Sequence, residues 1–547
     1  MTEEKCGYGK DGIFKSLYPP LVLPKDDYAS LVPFLFRNSA AYAHKTALID
    51  ADSGEKLSFK DFQEKVNWVG SGLYQLGIRK EDVVLIFAPN SINFPLCFLG
   101  IISIGAVATT VNPLYTTMEL TKQVQDSKTK LIFTVPEVWH KVQDLGLPTV
   151  IIGSPNDGDL SGGSKSGIPI TLFSELLNRG AQKIPPVVRI RQGDTAALLY
   201  SSGTTGINKG VVLTHRNFVA SALMVSYNQE ARGERDLIWL CLVPMFHVYG
   251  LAVVTLGQIQ RGNAVVSMGK FDFVRMLEVI QEYKVTHLPI VPPIVMALAK
   301  SKEILAQYDL SSLKEIISAA APIGRDIIEE TAAHIPTAEI LQGYGLTEAC
   351  GAATMVVRER NSHFGSVGTL LPSIEAKIGS LKTGKPLSPN QKGEICIRGP
   401  NIMTGYFNNP NATKDTFDKD GWLHTGDLGY FDENNNLFIV DRIKELIKCK
   451  GFQVAPAELE ALLLTHSEIV DAAVIPRPDP RAGEVPVAYI VLSSRSSLKK
   501  QDVMEFVSKQ VAPFKRLHNV TFLKMIPRST SGKILRRELV KNIKSKL

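Results

Sequence analysis

The chain's 547 residues are too many for one hydrophobic core, so at least two domains are expected. A hydrophobic fraction of 44% with 21% charged residues is that of an ordinary globular protein and excludes a disordered or fibrous chain. The net charge of +7 is modest and dispersed, and the basic stretches at Lys499-Lys500 and toward the C-terminus carry no interleaved aromatics, so no nucleic-acid partner is expected.

The first residues, Met1-Thr-Glu-Glu-Lys-Cys6, are charged and lack an apolar core, so no signal peptide is read there. Short β-prone runs at 83–87, 106–111, 131–134 and 150–152 predict strands, and amphipathic segments at 91–104 and 119–126 predict helices between them. That alternation predicts an α/β fold of layered, largely parallel sheets. The most apolar stretch, 94–111, is interrupted by Pro95, Gly100 and Gly105 and reads as a buried helix followed by a strand, not a membrane span. Residues 154–167 are rich in Gly, Ser and Asp and predict an exposed loop.

Residues 195–200 predict a strand that opens into Ser201-Ser-Gly-Thr-Thr-Gly-Ile-Asn-Lys-Gly210. This loop offers the hydroxyls of Ser201, Ser202, Thr204 and Thr205. Gly203 and Gly206 let the backbone turn its N–H groups toward an anion, and Lys209 adds a point charge for phosphate oxygens. A P-loop carries Lys directly after its last glycine, followed by Ser or Thr. Here Ile207 and Asn208 intervene, so the loop has phosphate chemistry without the Walker spacing. Strand-type runs on both sides set it apart from a flexible Ser/Gly linker.

Residues 392–399 and 437–440 predict further strands, the second ending at Asp441-Arg442. Beyond them the pattern changes. Pro456 suits the first turn of a helix over 457–464, whose Leu459, Leu462 and Leu463 form one apolar face. Strands are predicted over 469–475 and 487–492 and a helix over 502–511, giving a compact α+β unit. Cys6, Cys97, Cys241, Cys350, Cys396 and Cys449 lie far apart and the ten histidines show no ligand spacing, so neither a zinc site nor a disulfide framework is expected. The final Ser545-Lys546-Leu547 is the receptor-read peroxisomal address, which makes the peroxisome the expected location and its import receptor a partner.

The loop at 201–210 resembles the phosphate loop of the adenylate-forming enzymes, with Asn208 where that family usually has Pro. Four more segments resemble it in the same order: Gln342-Gly-Tyr-Gly-Leu-Thr-Glu348, Trp422-Leu-His-Thr-Gly-Asp427, Asp441-Arg-Ile-Lys-Glu-Leu-Ile-Lys-Cys-Lys-Gly-Phe-Gln-Val-Ala-Pro-Ala-Glu-Leu-Glu460 and Pro527-Arg-Ser-Thr-Ser-Gly-Lys-Ile-Leu-Arg536. With Pro244-Met-Phe-His-Val-Tyr-Gly250 they are similar to the plant 4-coumarate–CoA ligase-like branch, peroxisomal type. The resemblance implies a large N-terminal domain (1–441) of layered α/β sheets with a β-barrel-like subdomain, a hinge (442–446), and a small mobile α+β C-terminal domain (447–547). It implies an acid–thiol ligase that uses ATP, Mg²⁺ and CoA as co-substrate to form acyl-AMP and then acyl-CoA. It also implies a monomer acting on a small-molecule carboxylic acid.

Site residues follow from the same resemblance. Ser201, Ser202, Gly203, Thr204, Thr205, Gly206 and Lys209 hold the β- and γ-phosphates. Glu348 binds Mg²⁺, and Thr347 contacts the α-phosphate. Gln342, Gly343 and Tyr344 line the adenine site, while Asp427 and Arg442 meet the ribose. Lys533 bridges the attacking carboxylate and the α-phosphate, and His247 positions the acid. Lys270, Lys450 and Gly451 contact CoA. Lys444 is the hinge, with Lys448 and Gln453 as adenylate contacts. Singly, Asp427 suits a turn, Glu348 a helix start, Lys533 a basic tail and His247 a core histidine. Their joint order favours the nucleotide reading.

The acid pocket implied by the resemblance comprises Tyr249, Val253, Ile316, Ala319, Gly345, Ala352, Ala353 and Met355. Coumarate ligases carry a bulky aliphatic pair at Ala352-Ala353 and usually Gly at Ala319. Fewer wall methyls imply a deeper pocket. The acids expected are an extended or bulky aryl-propenoic acid, a medium-chain fatty acid or a jasmonate precursor. A luciferase-like adenylating oxygenase and a non-catalytic nucleotide-binding protein are the alternatives.

Overall fold

The computed structural model describes residues 7–153, 167, 169–183, 187–202, 208–319, 321, 323–356, 365–450, 452–494, 496–529 and 532–544. The loop expected at 154–167 lies almost wholly outside the described residues, as do Gly203, Thr204, Thr205, Gly206, Gly451, Ser545, Lys546 and Leu547.

Two large sheets form the body. In the first, Val83–Phe87 lies at the centre, flanked by Val107–Thr110 and Thr129–Thr134, all parallel. Val83–Phe87 is buried along its whole length, as its unbroken run of Val, Leu, Ile and Phe requires of a strand covered on both faces. The phosphate-loop segment leaves this sheet as a hairpin. Thr195–Ser202 pairs antiparallel with Asn208–Thr214, so that Ser201 faces Lys209 and Ser202 faces Asn208. In the second sheet the parallel strands Ile238–Cys241, His287–Ile290, Glu315–Ser318 and Glu339–Leu346 run side by side, and Gly351–Met355 turns back along the last of them.

Helices cover both faces. Asn93–Ser103 and Thr117–Ser127 stand where helices were expected, and Asn93–Ser103 is buried almost throughout. Capping boxes Ser58/Asp61 and Thr116/Glu119 fix two helix starts by satisfying backbone N–H groups that have no partner inside the helix. Among the described residues no helix is long and apolar enough to cross a membrane. The main core lies between the sheets, and a second, containing Leu288, Ile290, Ile294, Val295 and Ile316, covers the outer face of the second sheet. A five-stranded antiparallel sheet, Phe14–Lys15, Glu375–Gly379, Gly393–Arg398, Leu423–Phe431 and Leu437–Arg442, completes the N-terminal body.

After Arg442 the chain builds a separate core around Leu459, Leu463, Val474, Val485 and Ile490. Helix Pro456–Leu464 packs on the antiparallel pair Ile469–Asp479 and Gly483–Leu492, and helix Lys500–Ser508 on Asn519–Phe522, which runs parallel to the second of them. This is the α+β unit expected from the change of pattern.

The helices Phe59–Gln75 and Phe173–Ala181 approach so closely that a Cβ on Gly180 would lie 1.9 Å from the Trp68 carbonyl oxygen. Gly180→Ala is therefore expected to destabilise the N-terminal body by ~1–3 kcal/mol, the usual cost of overpacking. Gly193, with open space around its Cβ position and no positive φ, is the control. A lowered thermal midpoint for Gly180→Ala with an unchanged one for Gly193→Ala is the expected result.

Candidate active site

The carboxyl ends of the second sheet's strands meet the last antiparallel sheet, and the sequence-predicted residues gather there. Thr347–Ala349 forms one helical turn after Glu339–Leu346, which aims Glu348 at the phosphate-loop hairpin. Ser201 Oγ donates to Glu348 Oε1 at 3.0 Å, and the Tyr406 hydroxyl donates to the same oxygen at 3.0 Å. Glu348 Oε2 accepts no hydrogen bond among the described residues. The Lys209 ammonium lies 4.6 Å from the centre of the Tyr406 ring. Tyr406 was not foreseen. It lies far from every motif in sequence, and only its pairing beside Val211 brings it to the hairpin.

A second cluster surrounds Asp427. In the pairing of Leu423–Phe431 with Leu437–Arg442, Asp427 stands opposite Arg442. Arg442 Nε lies 2.8 Å from Asp427 Oδ1, and the Tyr344 hydroxyl donates to Oδ2 at 2.7 Å. Burial pushes the Asp427 carboxyl up, while Arg442 and Tyr344 pull it back. Gly343 lies against the Thr354 carbonyl, which a Cβ there would meet at 3.4 Å, in ordinary contact.

Lys533 comes from the C-terminal unit. Its loop is pinned by Arg528, which donates to the Gly532 carbonyl at 2.8 Å and pairs with Asp471 at 2.7 Å. Gly532 rests against Val291, so the loop is seated on the N-terminal body. Lys533 is half-buried, and its ammonium is held below its ordinary range by burial and then by Arg442, with Glu445 and Asp427 opposing. His247 lies close enough to feel that charge. Burial chiefly, then Lys533, pushes its imidazole down to about 4. His247 Nδ1 accepts from the Tyr249 N–H at 3.3 Å, which leaves Nε2 to carry the proton of the neutral ring.

Other predicted residues fall elsewhere. The Gln342 amide is buried and spent on the backbone: Oε1 accepts from Ile323 N at 3.2 Å and Nε2 donates to Ser366 O at 3.4 Å. It braces the site from beneath instead of lining it. Ile316, expected in the acid pocket, is buried in the second core, on the sheet face opposite Ile317, because neighbouring residues of a strand point to opposite faces. Ala353 is fully buried in the main core, whereas Ala352, Met355 and Tyr249 are only partly buried against it. Tyr249 and Val253 lie on a π-helical segment, Tyr249–Leu256, and Val253 abuts Gly351, where a built Cβ would approach it to 2.8 Å. A Cβ on Gly345 would collide with the Gly351 carbonyl at 1.9 Å, so that hairpin demands glycine. Ala319 is partly buried at the end of its strand, and Thr347 is buried. Lys270, Lys444, Lys448, Lys450 and Gln453 are exposed; Lys448 and Gln453 face each other across one short hairpin.

Residues 35–407 match the AMP-binding enzyme family, and residues 458–533 match the AMP-binding enzyme C-terminal domain. The chain belongs to the AMP-binding enzyme family. It is 46% identical to the probable CoA ligase CCL5 of Humulus lupulus over 100% of this chain and 99% of that relative. It is 43% identical, over 96% of each chain, to peroxisomal OPC-8:0-CoA ligase 1 of Arabidopsis thaliana. The structure of ATP-bound MatB from Rhodopseudomonas palustris is 27% identical, with a TM-score of 0.83 over 94% of this chain and 99% of that one. These relatives place the chain among the acid–thiol ligases of the 4-coumarate–CoA ligase type.

The depressed His247 has a consequence for stability. From its ordinary 6.5 down to about 4, the unfolded chain takes up a proton that the folded chain refuses. Its contribution to stability is complete above pH 6.5 and is lost as the pH falls through that window. His247→Asn is expected to flatten the acid limb of thermal midpoint against pH; an unchanged limb would assign the proton to another group.

Proposed function

We propose that the protein is an ATP-dependent carboxylic acid–CoA ligase. The observation that carries this reading is the convergence of Lys533, Asp427, Arg442, Glu348 and Ser201 on one cleft beside His247. In the first step a carboxylate oxygen attacks the α-phosphorus of ATP, and the bond to the β-phosphate oxygen breaks to release pyrophosphate. In the second, the thiol sulfur of CoA attacks the acyl carbonyl, AMP departs and the thiol proton is lost. The protein's task is to position the reactants and stabilise developing charge.

Lys533, aimed into the cleft, neutralises the attacking carboxylate and the α-phosphate together. Lys209 and the hairpin it closes hold the departing pyrophosphate. Asp427 and Arg442 take the ribose and Tyr344 and Gly343 the adenine, with Gln342 bracing them from below. Glu348 fits Mg²⁺: a hard cation prefers oxygen ligands, and Oε1 is oriented by two hydroxyls while Oε2 faces no donor among the described residues. When bound, the cation neutralises phosphate charge. His247, neutral at physiological pH, orients the acid without repelling Lys533.

Lys450 belongs to the same small unit as Lys533 and is exposed where Lys533 is half-buried, which supports a rotation about Lys444 that exchanges the lysine loop for the hairpin carrying Lys450. The domain limits 1–441, 442–446 and 447–547 follow from that division. The acid is a monocarboxylic acid of extended aryl-propenoic, medium-chain or jasmonate-precursor type. The partly exposed Ala352 on the pocket wall supports this breadth, as do the relatives named for an OPC-8:0 acid and for coumarate. Peroxisomal location rests on Ser545-Lys546-Leu547 and on the Arabidopsis relative's name.

The test incubates the protein with ATP, Mg²⁺, CoA and a panel of cinnamic, extended aryl and fatty acids, with thioesters identified by mass. One dominant acyl-CoA is expected; pyrophosphate release without any thioester would overturn CoA as acceptor. Lys533→Ala is expected to slow acyl-AMP formation by a barrier increase of about 3–4 kcal/mol, the usual worth of one such contact, while still converting supplied acyl-AMP to acyl-CoA. Equal loss of both half-reactions would refute the division of labour. At the wall, Ala352→Val is expected to shift preference toward coumarate with the fold intact, whereas Ala353→Leu is expected to destabilise by about 1–3 kcal/mol because it enters filled core. Competition assays and melting curves separate the two.

A further inference from the structure

The strand that carries Asp427 is not regular where it carries it. Gly393–Arg398 pairs with Leu423–Phe431 so that Glu394 faces Leu428 and Cys396 faces His424. Between those pairs Ile395 alone stands opposite Thr425, Gly426 and Asp427, so the ribose-site carboxylate rides on a bulge. Such a bulge loses its ladder bonds and needs others. Thr425 Oγ1 donates to Ile395 O at 2.7 Å, and Asp427 N donates to that same hydroxyl at 3.1 Å. Gly426, at φ +72°, gives its N–H to Glu394 Oε1 at 3.2 Å and accepts Ile443 N–H at 2.9 Å. The second oxygen of Glu394 is taken by His424 Nδ1 at 2.8 Å, and His424 Nε2 lies 3.7 Å from Asp418, itself paired with Lys377 at 2.7 Å. Glu394 thus reaches from the neighbouring strand to the residue just before Asp427, and His424 fixes its rotamer. Hydrogen bonds to Cys396 and then Glu394 raise the imidazole to about 10, so it is a cation at neutral pH and grips the carboxylate.

We propose that Glu394, held by His424, is a positioning residue that fixes the bulge presenting Asp427 to the ribose hydroxyls. Neither touches the nucleotide; their effect passes through the Gly426 N–H. The inference rests on the ribose role proposed for Asp427, and the test separates the two. Adenylation is measured with ATP and with 2′,3′-dideoxy-ATP in the full-length wild type, Glu394→Ala, Glu394→Gln and Asp427→Ala. The wild type favours ATP, and Asp427→Ala loses that preference. Glu394→Ala is expected to lose about tenfold of the preference, the worth of a charge-assisted hydrogen bond, through KM for ATP with little change in kcat. Glu394→Gln keeps an acceptor for Gly426 N–H and restores the preference. A Glu394→Ala enzyme that keeps the wild-type preference while Asp427→Ala has lost it overturns the brace. A preference unchanged in Asp427→Ala overturns the ribose role and the brace with it. Should Glu394→Ala fail to fold, His424→Ala gives the same reading, and a retained preference there is equally decisive.

Discussion

The site depends first on one ion pair with a buried carboxylate. Asp427 and Arg442 face each other across two antiparallel strands, so the sheet's register, not a flexible loop, sets their 2.8 Å separation. An isolated carboxylate at that depth would be strongly penalised. Arg442 and the Tyr344 hydroxyl hold it, and taking Arg442 away would leave that carboxylate's charge buried without its cation. Arg442 is also the last residue of the N-terminal sheet before the chain enters the C-terminal unit. The proposed nucleotide site and the proposed hinge therefore share one residue.

A second charged network continues from there. Arg536 pairs with Glu460 at 2.7 Å and approaches Glu445 at 3.5 Å, while Asp441 accepts the Ala457 N–H at 2.9 Å. Helix Pro456–Leu464 is thereby tied to the linker at its first turn. Burial pushes Glu460 up to about 7, against the pull of Arg536, so the pair is a costly one that stands where the fold must hold a definite arrangement. Lys533 lies between Arg528, pinned by Asp471, and Arg536, pinned by Glu460. Anchors on both sides make its loop stiff enough to present one ammonium to the cleft.

Local pattern made much of this legible. The buried run 83–87, the Pro456 helix start and the α+β pattern beyond Arg442 each follow from composition and period. The motifs named the residues that converge. What they lacked was parity and distance in space. Ile316 and Ile317 are equally apolar, and only the sheet shows which of them enters the second core. Ala352 and Ala353 divide in the same way, the second in the core and the first only partly buried against it. Gln342 belongs to the adenine motif, yet its amide is consumed by Ile323 and Ser366, contacts a linear reading cannot reveal. Tyr406 and Glu394 reach the site only through strand pairing, and the π-helical register at Tyr249–Leu256 shifts side chains off the 3.6-residue period on which a helix is recognised.

The same features bear on how the two halves work together. Among the described residues, Lys300 Nζ bonds Ile469 O at 3.4 Å and the Ala457 N–H bonds Asp441 beside the proposed hinge, while Gly532 packs against the side chain of Val291. Of these, the bond at Asp441 is the one close in sequence to the proposed hinge. The proposed rotation about Lys444 can therefore break the distant contacts while the Arg442–Asp427 pair, on the body side, stays closed. Lys533 loses part of its hydration in the docked pose, and its ammonium is held below its ordinary range there. An anionic acid and ATP would offset that cost, whereas once pyrophosphate has left the negative charge that favoured docking is reduced. A seat that both anions together would favour most would give the small domain, in the proposed rotation, a physical reason to leave after the first step.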